Sequence, residues 1–181
     1  IVIIMRKLFV LISVLVVALA MTSCLGEVES HYTPRIYSSA FYVNPIMQGD
    51  SLKGAKDTLL LKYNTEDDSY VTDTLALGDT VMFASSFYTV SNNLVSVKLD
   101  WDTTKMALWY SLNDAILKVL TDRSDVAAGR LYFNPGYNNV AFPVYFSPQV
   151  EGKSAVTLTV ESDSKYPITS IRFTVPVSNE L

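Results

Sequence analysis

Strict alternation of apolar and polar residues is the feature that most narrows what this chain can fold into. In Val95-Ser96-Val97-Lys98-Leu99-Asp100-Trp101 every second side chain is apolar. A strand turns successive side chains to opposite faces, so Val95, Val97, Leu99 and Trp101 share one side and the polar residues the other. Val156-Thr157-Leu158-Thr159-Val160-Glu161 repeats the pattern. So does Ile171-Arg172-Phe173-Thr174-Val175, with Val177 still in phase, and Val140, Phe142, Val144 and Phe146 make a fourth set. Pro143 lies inside that fourth set. Proline brings no N–H to a ladder, so it predicts an edge strand or a bulge there.

Turn-forming pairs separate the runs: Asn44-Pro45, Gly49-Asp50, Gly78-Asp79, Asn92-Asn93, Pro135-Gly136 and Asn138-Asn139. One stretch departs from the period of two. Leu108, Leu112, Ile116, Val119 and Leu120 recur at three and four, which predicts a short helix over 112–120 crossing one end of the sheets. Ser111-Leu112-Asn113-Asp114 supplies its N-cap, and Gly129 lies beyond its end. Many short strands without alternating helices make an all-β, antiparallel sandwich with one short helix. Residues 35–181 form one domain rather than two, because each half alone would bury little apolar surface.

The N-terminus is of another kind. Met5-Arg6-Lys7 offers a start residue and a basic segment, residues 8–20 are apolar except Ser13, and Met21-Thr22-Ser23-Cys24 closes with small residues before a cysteine. Basic, then apolar, then small is the order of a cleaved signal peptide, here residues 1–23 with translation starting at Met5. The apolar run is short of the roughly 20 residues that a spanning helix needs. Residues 24–34 are polar and aperiodic, and read as a tether.

Met21-Thr22-Ser23-Cys24 resembles the lipobox of bacterial lipoproteins, with Met21 where leucine is commonest. The resemblance implies a diacylglyceryl group on the Cys24 thiol, cleavage before it and acylation of the new amine. At roughly 0.8 kcal/mol per buried CH₂, two or three acyl chains anchor stably where one does not. Leu25, in place of an aspartate, implies the outer membrane; Glu27 and Glu29 echo the acidic stretch of some surface lipoproteins of Bacteroidetes, with the face left open. The stretch from Val140 to Val177 looks like the last strands of immunoglobulin-like sandwiches. The whole chain resembles small lipoproteins of Bacteroidetes, which implies an address and a fold but no activity.

Charge and composition strike out several chemistries. Arg6 and Lys7 belong to the leader, so 12 of the 14 basic residues remain against 18 acidic ones, a net charge of −6. Such a surface repels phosphate backbones, so no nucleic acid is expected as a partner, and charge alone does not dock it on anionic lipid. Cys24 and His31 are each the single residue of their type. That leaves no internal disulfide, no Cys/His zinc site and no conventional Ser-His-Asp or Cys-His triad. No glycine-rich phosphate loop is present, and no cofactor is expected.

Two leads remain. Glycoside hydrolysis needs only two carboxyl groups at a fixed separation, and Glu66-Asp67-Asp68 and Asp100-Trp101-Asp102 are the densest acidic places. The first reads as a solvated hairpin tip, the second as the outward neighbours of an inward Trp101. The other lead is aromatic: 11 tyrosines, 8 phenylalanines and 2 tryptophans, with Trp109 and Tyr110 as a ligand platform at the strand-to-helix junction. The sequence thus supports a lipid-anchored envelope protein acting as a non-catalytic binding or assembly module. A glycan-binding surface lipoprotein is the alternative, and a carboxylate-based glycoside hydrolase the third reading.

Overall fold

A computed structural model describes residues 32–49, 51–66 and 68–179. The signal peptide, Cys24, His31 and nearly all of the tether lie outside the described residues. Among the described residues twelve strands and one helix follow in order: β1 (Arg35–Gln48), β2 (Ser51–Thr58), β3 (Leu61–Asn64), β4 (Ser69–Thr72), β5 (Leu75–Ala76), β6 (Val81–Tyr88), β7 (Leu94–Trp101), β8 (Met106–Tyr110), α1 (Asp114–Leu117), β9 (Arg130–Tyr132), β10 (Asn139–Pro148), β11 (Gly152–Ser162) and β12 (Ile168–Ser178). The four alternating segments become β7, β10, β11 and β12. Their apolar phases face inward: Val97, Leu99, Val144, Phe146, Val156, Leu158, Val160 and Val175 are all buried.

The strands form two sheets. The first runs β2-β1-β6-β10-β8 and the second β3-β4-β12-β11-β7-β9, with β5 added to β12. Pairing is antiparallel except where β12 runs parallel to β4 and β5. Phe41 and Phe83 of the first sheet meet Phe173 of the second at ring distances of 5.1 and 5.3 Å, which locks the layers together. The result is an all-β sandwich of two sheets, with the core between them.

Four local expectations change. Asn44-Pro45 is no chain reversal but a bend inside β1, with Asn44 at φ 47°. Its backbone and side chain bond Thr80 and Asp79 across the bend. Pro143 lies on β10, an interior strand. β8 pairs only from Val144 onward, and the Pro143 carbonyl takes its bond from Ser111 beyond the end of β8. The absent N–H therefore falls where the ladder has just stopped, which is why proline is tolerated. In β7 the register slips so that Ser96 opposes Glu161 while Leu94 opposes Ser162. Val95 is the extra residue of a bulge, and Leu94 takes its core position.

The predicted helix is also shorter than 112–120. Asn113 caps α1 by accepting from the Ile116 amide, but only Asp114–Leu117 is helical. Leu120 bridges to Phe133, and the Asn134 amide bonds the Val119 carbonyl. Those bonds return the chain to the second sheet before another turn forms. α1 thus connects β8, at the edge of one sheet, to β9, at the edge of the other, with Ile116 buried in the core.

Candidate functional site

The two outer faces differ in charge, and the difference begins in the strand sequences. β6, β8 and β10, which form the middle and one side of the first sheet, contain no Asp, Glu, Lys or Arg at all. The second sheet carries Lys62, Lys98, Asp100, Arg130, Lys153, Glu161 and Arg172. The ion pairs among the described residues all lie on that second sheet or its connections: Lys62–Asp73, Lys98–Glu161, Lys105–Asp102 and Arg130–Asp100.

Inward residues of the first sheet alternate with an outward set. Tyr42 pairs Met82, Met82 pairs Tyr145, and Tyr145 pairs Trp109. One transverse row across four strands is therefore apolar and uncharged. At its end the Trp109 and Tyr145 rings stack, with centroids 5.6 Å apart and planes within 5°. Trp109 is 43% exposed, so much of its ring remains available to a ligand. Beside the pair lies an open depression of about 530 Å³, bounded by Asn44, Pro45, Met47, Thr80 and Ser111. Two more depressions, of about 410 and 490 Å³, continue along the face and share Tyr37 and Ser86. Small residues line the middle of this track (Ala84, Ala141 and Pro143), while Asn138 and Asn139 close its end. Among the described residues, no charged side chain lines any of the three.

Trp109 and Tyr110 face opposite sides of the first sheet. Adjacent strand residues point to opposite faces. Tyr110 turns inward against Phe142, with ring centroids 5.9 Å apart. Its hydroxyl is buried and finds no hydrogen-bond partner among the described residues. Burial pushes its pKa up. Tyr145 is the true neighbour of Trp109. Its signal was present in the sequence, because it occupies the outward phase between Val144 and Phe146.

The acidic places are arranged differently. Glu66 and Asp68 lie in the turn between β3 and β4, where the Tyr63 hydroxyl donates to Asp68; Asp67 is outside the described residues. That hydrogen bond raises the pKa of the exposed Tyr63. Asp100, Trp101 and Asp102 line one groove of about 600 Å³ on the outer face of the second sheet, with Lys105, Lys153 and Arg172. Arg130 pairs with Asp100. The Thr104 hydroxyl and amide donate to Asp102 and, with Lys105 adding to them, lower its pKa. Trp101 is half-buried rather than fully inward: it packs on the core and also lines this groove. No three His, Cys, Asp or Glu side chains converge as metal ligands among the described residues.

No family model matches the sequence, and neither does any curated protein. Among solved structures, a chain from the crystallised CaDoc0917–CaCohA2 complex aligns over 60% of this chain and 94% of its own, at 15% identity and a TM-score of 0.36. AggA, the major subunit of aggregative adherence fimbriae type I from Escherichia coli, aligns over 82% of this chain and 99% of its own, at 9% identity and a TM-score of 0.32. Likeness at this level says nothing of function, and the fold rests on the strand pairing above.

Proposed function

We propose that this chain is a lipid-tethered, non-catalytic binding module of the bacterial cell envelope, which engages its partner through the uncharged outer face of β6, β10 and β8 in the first sheet. The carrying observation is the exposed Trp109–Tyr145 stack at the head of an uncharged track on an acidic protein. An interface core of this kind is depleted in charge and anchored by aromatic side chains. The anchor itself rests on the order of the leader and the position of Cys24.

The partner in the first reading is an envelope protein, with this chain as its accessory subunit. A neutral polysaccharide is the second reading, and the exposed indole face favours it, because sugar rings stack on aromatic surfaces. Catalysis by carboxyl pairs fits the second sheet poorly. A glycosidase acid must hold its proton near neutral pH, whereas Asp102 is shifted the other way and Asp100 is paired with Arg130.

The test is a photo-reactive residue in place of Ser86, with Thr157 as the control on the second sheet, combined with an array of neutral polysaccharides. Crosslinks from position 86 alone support the protein reading, and array binding that needs Trp109 supports the sugar reading. Loss of the indole in Trp109→Ala should weaken binding roughly thirtyfold, as for a central aromatic anchor of about 2 kcal/mol. Melting should barely change. Crosslinks from position 157 alone, with no array binding, would overturn both readings.

A further inference from the structure

One end of the sandwich gathers tyrosines, and the tether leaves from that end. β1 begins at Arg35, which pairs Tyr88, and Tyr88 in turn pairs Asn139 at the start of β10. The Thr169 hydroxyl, near the start of β12, donates to the Pro34 carbonyl. Asn93 ties the loop after β6 to Asp163 and Gly136 in its neighbours. The Leu94 amide bonds the Tyr137 carbonyl and the Thr89 amide bonds Asn138. Residues 32–35, 88–94, 136–139 and 162–169 therefore form one braced surface.

That surface exposes large side chains. Tyr32, Tyr37, Tyr166 and Ile168 each leave more than half of their area in solvent, and Val90 and Tyr137 about two-fifths. Its charges are few: Arg35 and Lys165 are exposed, while the Asp163 carboxylate is held by Asn93. Tyrosine, with an apolar ring and a polar tip, is the residue type enriched where hydrocarbon meets water at a bilayer surface. We infer that this end is a membrane-contact surface, which seats Tyr32, Tyr37, Tyr137, Tyr166 and Ile168 in the headgroup layer of the bilayer that carries the Cys24 lipid. The inference rests on the lipid-anchor reading above.

Chain length chooses this end over the other. Pro34 follows Cys24 by ten residue steps, a reach of at most about 35 Å when fully extended. The opposite end also exposes apolar side chains, Ile46, Met47, Leu77 and Val150. It lies a full strand away, and the 11 residues of β11 span about 35 Å. Seating that end on the lipid would need the tether stretched flat along the whole domain. It would also press Asp79, Asp102 and Glu151 toward the headgroups. With the tyrosine end down, Trp109 stands roughly 20 Å along the strands from the membrane, facing sideways. The anchor then supplies affinity and the tyrosines supply orientation, because one braced surface meets the lipid.

The experiment uses the full chain, purified from membranes of a lipoprotein-processing bacterium and reconstituted in phosphatidylcholine vesicles. Mass spectrometry first reads the lipid on Cys24. Ile168→Cys, Tyr166→Cys and Leu77→Cys are then labelled one at a time with an environment-sensitive dye, the Cys24 thiol being blocked by its lipid. Nitroxide-bearing lipids should quench the dye at 168 and 166 and leave it at 77 unchanged. Adding Tyr32→Ser and Tyr137→Ser to Ile168→Cys should abolish that quenching while the protein stays on the vesicles. Equal quenching at both ends, or none at either, on a lipidated protein would overturn the orientation and leave the anchor standing. An unmodified Cys24 would overturn the anchor and the orientation with it.

Discussion

At Gly129 the backbone adopts φ +68°, and a methyl group there would meet Leu99 Cβ and its carbonyl at 3.0 Å and Trp101 Cζ3 at 3.2 Å. Gly129→Ala therefore combines a left-handed penalty with overpacking and should cost about 2–4 kcal/mol, read as a lower melting temperature. Trp101 is the other half of that contact. A fully buried tryptophan would cost about 3–5 kcal/mol on truncation, but one side of this ring faces the outer groove, so Trp101→Ala should fall below that range, at about 2 kcal/mol in chemical denaturation. Asp163 makes a pH prediction. Burial acts to raise its pKa, but the Asn93 side chain and amide, with Asn92 and its own backbone, outweigh that and lower it. A depressed folded pKa means that the stabilisation is present above the unfolded value near 3.8 and is lost as pH falls through the folded one. Asp163→Asn should therefore lower stability at pH 7 and take away only the share of the acid limb below about pH 4 that Asp163 contributes, so that the variant and the parent converge in stability as pH falls. At this scale the sequence announced which residues were aromatic or acidic. It paired Trp109 with Tyr110 because they are adjacent, although adjacency in a strand guarantees opposite faces.

Elements show the same mixture. The period of two located β7, β10, β11 and β12, since alternation is a local property of an extended backbone with one wet face. It did not foresee the bulge at Val95, which exists because β7 must keep register with β11 while Leu94 fills the core. The helical spacing over 112–120 was real, but only its first turn is helical, because the Asn134 amide bonds the Val119 carbonyl and the Thr121 amide bonds the Tyr132 carbonyl, which draws the rest back to the sheet. So short a helix depends on its cap. Asn113→Ala removes the acceptor of the Ile116 amide and should cost about 1 kcal/mol, seen as faster amide exchange at Ile116 and Leu117 before any change elsewhere. Pro143 teaches the complementary lesson. Its residue type predicts an edge strand or a bulge, yet the strand is interior and keeps unbroken register with β6, and the missing N–H is met by where β8 stops.

Over the whole molecule, the consequence is a segregation of chemistry: ion pairs on the second sheet and its connections, a neutral aromatic track over β6, β10 and β8 of the first, and tyrosines at the end where β1 begins. An exported domain attached only through Cys24 should leave the membrane fraction once the thiol is lost. Cys24→Ser should accordingly move the protein into the soluble fraction of the envelope, and retention in membranes would assign the anchor elsewhere. What the amino-acid sequence determined alone was whatever is written in neighbouring residues: the basic, apolar, small order of residues 5–24, the strand period and most of the apolar phase of β7, β10, β11 and β12. Which strands lie side by side was decided only on folding. Trp109 meets Tyr145, and Arg35 meets Tyr88 and Asn139, through backbone pairing between distant segments. Such pairings are selected by how whole faces pack together, and a short window of sequence holds no record of them.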